Sequence, residues 1–487
     1  MASLNSHVNL GSDEDLYLVL ARSLAQDHSF SYAHFVDEPP HKRLPPLFPL
    51  LVAPWMCLPL PAAVVGAKLL NCFAALALLW LWLRRGEQFC RGFGPLAWLG
   101  LLCSYYLMHY SHLVLSETVY ALLSILALGS LGGYESSDGR QRPFLCVAAI
   151  WLLAAYFTRS IGIALFFGYG AYCLLEPASS LRNGKQVWPL LALAAVVAVA
   201  IGAWAWRNSL IHTTDVGGRS YFAFFTEGGV LDFHRLASRV GYNAASLVLA
   251  FGCLILSLPP VAVGDFSVNG IMVHGVGLAV TACITAGFLR AVSKSRGVGE
   301  YYFVCYLMIV LLWVPWDSVR FCLPILPWLL AYFLDGLLAV AGRLTIQLAV
   351  LAQPAATVLI MAIGSAIIFS HFIPREWQRA ASPTEKAFVV ALRQLPRAVS
   401  PEALIMSDVP HAVSYETVVK TVYLPAGQAA RPQLLNYASR FDRLYVVIDP
   451  WMSAKRREQV FQLMQTIPES NWEPISQAGE TVVFRLR

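Results

Sequence analysis

GSDEDLYLVLARSLAQDHSFSYAHFVDEPPHKRLPPLFPLL, residues 11–51, opens on three consecutive acids, passes through a histidine-dotted polar segment and closes on a basic triplet that runs straight into proline-punctuated apolar sequence. It stands in a chain of 487 residues that is 57% hydrophobic and only 13% Asp, Glu, Lys and Arg. A soluble chain carries about a quarter of its residues as charges, so most of this one belongs in lipid. The stretch is the densest cluster of ionisable groups in the chain, and it comes just before the first membrane helix.

Working outward from it, apolar runs long enough to cross a hydrocarbon core of roughly 30 Å recur near 61–83, 92–109, 115–133, 143–157, 160–177, 187–206, 270–289, 301–316, 320–342 and 346–371. The runs from 143 to 177 are short, which fits tilted or partly re-entrant segments. Arg84 and Arg85, Arg140 and Arg142, Arg182 and Lys185, and Arg290, Lys294 and Arg296 fall on one side if the spans alternate. The positive-inside bias makes that side the cytoplasm. The opening stretch, the 207–243 loop, the Asp317–Arg320 turn and everything after 372 then face outward. A crossing at 244–262 would reverse the Arg290–Arg296 cluster, so that segment is expected to lie on or dip into the outer leaflet.

The expected fold is mainly α: a polytopic transmembrane helical bundle over 1–371, with about ten spans, and a small C-terminal α/β extramembrane domain over 372–487. In that tail TEKAFVVALRQL and KRREQVFQLMQTI have helical periodicity, and RLYVVID and ETVVFRL read as strands. No Gly-rich nucleotide loop occurs there, and no internal repeat of the inverted-repeat transporters is evident. The net charge of +6 is explained mostly by the cytoplasmic anchors and gives no case for nucleic acid. All ten cysteines lie at or before Cys322, which implies neither a disulfide framework nor a Cys-based metal site.

Asp13, Glu14 and Asp15 precede LYLVLARSLA, whose apolar positions 16, 20 and 24 suit an interfacial helix with Ser12 or Asp13 as N-cap. The acids then have two readings. They complement the helix dipole, or one of them is a general base at the lip of a membrane cavity, placed for an incoming hydroxyl or amine. Prolines 39, 40, 45, 46 and 49 hold His41, Lys42 and Arg43 in a corner without regular helix. A snorkelling collar explains such cations, but collars are normally cytoplasmic. A fixed outward cation suits an anionic phosphate.

D-E-x-x-Y at 13–17, followed by P-P-H-x-x-x-P-P-L-x-P at 39–49, resembles the first external loop of the GT-C glycosyltransferases. The nearest branch contains the protein O-mannosyltransferases and the bacterial transferase that puts aminoarabinose on lipid A. H-L-V-L-S-E-T at 112–118, F-T-R-S-I-G at 157–162, W-R-N at 206–208 and V-R-F-C-L-P-I-L-P at 319–327 follow in the family's order. Together they cover most of 11–330.

The resemblance implies an inverting glycosyltransferase in the plasma (inner) membrane. Its donor is a sugar on a polyprenyl phosphate, its acceptor a lipid, glycan or protein, and its active site and C-terminal domain are extracytoplasmic. Asp13 maps to the family's candidate base, with Glu14 beside it, and Glu117 to a second acid. Lys42 and Arg320 are the first candidates for the donor phosphate, with His41, Arg159 and Arg207 behind them. A structural ion pair between Glu117 and Arg159 is the competing reading. Asp13, Glu14, His34 and His41 include possible ligands without diagnostic spacing, and no obligatory metal or other cofactor is expected. A lipid-linked-sugar transporter or flippase would need similar arginines and is the alternative function. Family members begin with a transmembrane helix ahead of the D-E loop, whereas twelve residues precede Asp13 here. An N-terminally shortened gene product is the expectation drawn from that difference.

Overall fold

The computed structural model describes residues 8–10, 12–90, 93–137, 142–177, 179, 187–211, 233–260, 262–265, 267–294, 296–313, 317–344, 346–368, 370, 383–395, 403–417, 419–425, 430–466 and 472–486. Arg140, Arg182, Lys185 and most of the 207–243 loop lie outside them, as does the expected domain boundary near 371.

Ser12 opens the first helix, Asp13–Gln26, by accepting the Glu14 N–H at 3.1 Å. That satisfies one of the orphan donors of the helix start, and the three acids fill the first turn. Leu16 and Leu20 on its apolar stripe are buried. The chain then runs irregularly to Leu47–Val52, where Pro49 sits in the first turn, a place that needs no backbone donor.

Among the described residues six helices are long and apolar enough to cross a membrane, which makes this an integral membrane protein. They are Leu60–Phe89, Glu117–Ser136, Val187–Ser209, Leu236–Leu256, Val268–Lys294 and Ser318–Arg343. Shorter apolar helices, Leu47–Cys57, Arg142–Thr158, Ser160–Leu175, Val298–Leu312 and Leu351–Ile367, pack among them. The 268–294 and 326–344 helices approach closely enough that a Cβ on Gly287 or Gly336 would overlap a carbonyl oxygen of the other helix. Small residues of this kind are what let helices meet in lipid.

One segment differs from the sequence reading. The run 92–109 is two short helices, Pro95–Leu102 and Tyr105–Ser111, interrupted where Ser104 caps the second. The segment 244–262, expected at the outer leaflet, belongs largely to a 24-residue helix, Phe233–Leu256. This helix packs inside the bundle: Leu249, Ala250, Cys253 and Leu254 are buried. The Asn243 side chain also donates to Leu311 O at 2.9 Å and Trp313 O at 2.6 Å.

The C-terminal α/β domain is a five-stranded sheet in the order β2-β1-β3-β5-β4. Its strands are Ala403–Ser407 (β1), Lys420–Tyr423 (β2), Arg443–Ile448 (β3), Trp472–Ala478 (β4) and Thr481–Leu486 (β5). β1 runs parallel to β2 and β3, and β5 antiparallel to β3 and β4. Helices Pro410–Thr417 and Ala430–Arg440 make the crossovers, Ala454–Met464 follows β3, and Pro383–Arg393 packs on β4 and β5. Phe35 of the first loop is fully buried in the same core as Phe388, Val413 and Tyr445, so the loop and this domain share an interior.

Candidate active site

A cavity of about 50 Å³ opens where four separated stretches of chain meet. Its wall comes from Asp13 and Tyr17 of the first helix, Arg43, Leu44 and Pro45 of the proline corner, Thr158–Ile161, and Trp313, Asp317, Arg320 and Phe321. Each stretch is positioned by its own sequence. Ser12, not Asp13, is the helix cap, so the Asp13 carboxylate is left for the cavity. Arg159 is extended (φ −148°, ψ 131°) between the 142–158 helix and the tight Ser160–Gly162 turn. Gly162 is required there, because a Cβ would lie 2.7 Å from the Tyr156 nitrogen. Asp317 caps the helix that carries Arg320, accepting the Arg320 N–H at 3.1 Å, and also takes the Tyr110 hydroxyl at 2.9 Å.

One buried carboxylate organises the cations. Glu117, 1% exposed, pairs with both Arg159 and Arg320. Arg320 reaches on to Asp13, its Nη1 lying 2.8 Å from Oδ2. Arg159 also donates to Ser116 Oγ at 3.3 Å and lies 5.1 Å over the Phe321 ring. Ser116 Oγ is in turn 2.8 Å from the Tyr17 hydroxyl. Asp317 is therefore not the guanidinium's partner; the two acids Asp13 and Glu117 are. Burial tends to raise the Asp13 carboxyl, but Arg320 and then Arg43 outweigh it and hold it below its ordinary value of 3.8. A carboxylate kept ionised beside fixed guanidiniums can accept a proton while the cations hold an anionic group.

Asp13, Glu117, Arg159 and Arg320 thus come together, and the other candidates lie apart from them. Glu14 is buried, paired with the Asn9 side chain, and accepts the Val114 N–H at 3.2 Å, which ties the first helix to the turn before Glu117. Lys42 does not line the cavity, and Arg43 does. Adjacent residues in an irregular segment give no sequence signal for which of them faces inward. His41 is fully buried, its Nε2 accepting the Leu44 N–H at 2.7 Å. Arg207 donates to His41 O at 2.8 Å and lies 4.8 Å over the Trp204 ring, and Asn208 donates to Lys42 O at 3.3 Å. W-R-N therefore braces the backbone of the proline corner. Among the described residues no three His, Cys, Asp or Glu side chains gather as a metal site.

Beside the cavity lies a histidine cluster that sequence reading missed, because His411 is brought to His34 and His41 only by the tertiary fold. His34 Nε2 and His411 Nδ1 are 3.1 Å apart, and His411 Nε2 is 3.1 Å from the Tyr423 hydroxyl. Burial, followed by neighbouring cations, holds all three rings neutral. His34 faces His411, Arg22 and Lys420, and His41 faces His411, Arg43 and Arg207. His411 is pushed down to about 3 by burial and Arg43, opposed by Asp13. Groups depressed in the folded state contribute stability above their ordinary value of 6.5 and lose it as pH falls toward the folded values. We expect the unfolding temperature to be flat in the histidine contribution above about pH 6.5 and to fall below it. A His34→Gln/His411→Gln variant should fall less steeply over the same range in a thermal-unfolding series, and an unchanged slope would remove the cluster as the cause.

No family model and no curated protein matches the sequence. Solved structures do match the fold. ArnT from Cupriavidus metallidurans bound to undecaprenyl phosphate superposes with a TM-score of 0.57 at 14% identity, over 99% of this chain and 95% of that one. Its apo form gives a TM-score of 0.51 at 12% identity, with the same coverage. The Archaeoglobus fulgidus oligosaccharyltransferase tethered to an acceptor peptide gives 0.51 at 13% identity, over 90% of this chain and 65% of that one.

Proposed function

We propose that this chain, which has the GT-C fold of those structures, is an inverting glycosyltransferase. In this reading it moves a hexosyl or pentosyl group from a polyprenyl-phosphate donor to an extracytoplasmic lipid, glycan or protein acceptor in the plasma (inner) membrane. The observation that carries the reading is the convergence of Asp13, Arg43, Arg159 and Arg320 on one small cavity. The undecaprenyl phosphate bound to ArnT supports a phosphate-bearing lipid as the carrier.

The acceptor hydroxyl or amine attacks the anomeric carbon on the face opposite the phosphate, and Asp13 takes its proton. The bond between the anomeric carbon and the phosphate oxygen breaks, and the lipid phosphate leaves with one more negative charge than it carried as a diester. Arg320, Arg159 and Arg43 hold that charge; guanidiniums suit it because they can grip phosphate oxygens in pairs. Entry of the phosphate draws Arg320 from Asp13. The carboxylate then loses a stabilising cation and becomes a stronger base at the moment it is needed. Glu117 keeps Arg159 and Arg320 in place between turnovers, and His41, Arg207 and Asn208 brace the corner that presents Arg43, the role sequence position suggested for Lys42.

The test is full-length protein in lipid nanodiscs and vesicles, with undecaprenyl-phosphate-linked labelled sugars and panels of lipid, glycan and peptide acceptors. Acceptor-dependent donor cleavage is the expected result. Translocation of intact donor without cleavage would instead identify a flippase.

A further inference from the structure

The segment between the first helix and the cavity wall is gripped at a place the transfer chemistry does not use. Residues 30–41 fold back on themselves: the Tyr32 N–H donates to Pro39 O at 2.9 Å and the His41 N–H to Phe30 O at 3.0 Å. At the tip, Asp37 and Glu38 take left-handed backbone (φ 63° and 42°). The tip sits on the open edge of the C-terminal sheet. Phe35 pairs in parallel with Thr421, whose N–H donates to His34 O at 2.7 Å. Lys420 Nζ reaches Ala33 O at 2.7 Å and Glu38 at 2.5 Å, and Arg440 pairs with Asp37 at 2.8 Å. At the base of the same fold-back, Arg43, Leu44 and Pro45 form the cavity wall.

A column of rings joins tip to base. His411, fixed by His34 and Tyr423, stacks on Tyr32 with centroids 5.2 Å apart and planes 24° apart. Tyr32 meets His41 edge-on at 4.8 Å, and His41 accepts the Leu44 N–H at 2.7 Å. Tyr32 and His41 are buried, and His34 and His411 are half-buried.

We propose that the C-terminal domain positions the cavity wall: by taking residues 33–38 onto the edge of β2 and seating His411 on Tyr32, it fixes, through Tyr32 and His41, the place of Arg43, Leu44 and Pro45. The consequence for catalysis rests on the transferase reading above; the mechanical link does not.

Fixing an irregular backbone costs conformational entropy at every residue. The segment between Gln26 and Leu47 contains no helix to offset that cost, and its own backbone bonds are few. Contacts from another element have to hold it. Strand addition to a sheet edge supplies main-chain hydrogen bonds that do not depend on side-chain identity. Packed rings transmit a displacement because close-packed interiors yield little. His41 and His411 are therefore positioning residues, since neither lines the cavity.

The test uses full-length protein in nanodiscs with two readouts, amide exchange over residues 41–46 and the kinetics of undecaprenyl-phosphate-sugar turnover. His41→Phe keeps a ring but loses the acceptor for Leu44, and His41→Gln supplies an acceptor again. We expect His41→Phe and His411→Ala to speed exchange at Leu44 about tenfold and to raise the donor KM more than they lower kcat, and His41→Gln to restore both toward wild type. Protection of β1, β3 and β5 reports that the domain remains folded. If His411→Ala does not fold, the surface pair serves: Lys420→Glu should loosen the 33–46 segment, and adding Glu38→Lys should tighten it again. Unchanged exchange at 41–46 in a folded His411→Ala protein, or in Lys420→Glu, would overturn the proposal. Altered exchange in a protein whose wild type cleaves no donor would uphold the link and sink the transferase reading instead.

Discussion

Asp13→Asn is expected to leave a folded protein that binds donor and transfers sugar about 10²–10⁴-fold more slowly, the contribution of a positioned general base. Asn has nearly the same shape and cannot take the acceptor's proton. The cap reading of Asp13 predicts a different result, and the geometry separates the two: the helix cap is Ser12, which accepts the Glu14 N–H. Removing the Asp13 charge therefore costs the helix start little. Arg320 loses one of two acidic partners and keeps Glu117, so donor binding should be retained, and the unpaired arm of the guanidinium stays available to phosphate. Single-turnover transfer and donor binding measured on the same preparation decide the matter. Near-normal turnover would leave Asp13 as a countercharge only, and loss of folded protein would make it structural.

The membrane portion was legible because lipid imposes a simple rule: long apolar stretches must be helices. That rule found the spans from 61, 115, 187, 270 and 320, whose helices stand at Leu60–Phe89, Glu117–Ser136, Val187–Ser209, Val268–Lys294 and Ser318–Arg343. It failed at 92–109, where Ser104 starts a second short helix. In the tail the two segments with clear helical period and the two β-rich runs are a helix pair and strands β3 and β5. β1, ALIMS, is five buried residues with no alternation to read.

At the site, legibility followed local chemistry. Acids at a helix start and arginines beside membrane turns stand out because they are expensive there, and Asp13, Glu117, Arg159 and Arg320 do share one network. What periodicity cannot give is direction within irregular chain. It could not separate Lys42 from Arg43, nor see that Glu14 turns from the cavity to the Val114 N–H. His411 was out of reach altogether, since nothing in its neighbourhood in sequence points to a loop almost four hundred positions earlier.

Glu117→Gln is expected to destabilise the folded protein by about 3–5 kcal/mol, the cost of breaking a buried ion pair and leaving its partner uncompensated. Two guanidiniums depend on this carboxylate. Arg159 has no other acid among the pairs of the described residues, while Arg320 retains Asp13. Arg320→Lys is the informative comparison. A single ammonium cannot reproduce the fork that bridges Asp13 and Glu117, so donor use should weaken by about 1–3 kcal/mol, with a smaller loss of stability because Arg159 still neutralises Glu117. Combining the two substitutions should cost less than their sum, since both break the same contact. Thermal unfolding and donor-concentration dependence of transfer, measured for both single variants and the double, separate the roles. If Glu117→Gln keeps wild-type thermal stability yet loses as much transfer as Asp13→Asn, Glu117 acts in the reaction itself and the ion-pair account of it fails. If stability falls while the residual folded fraction still turns over donor, Glu117 is the countercharge that keeps Arg159 and Arg320 aimed at the phosphate.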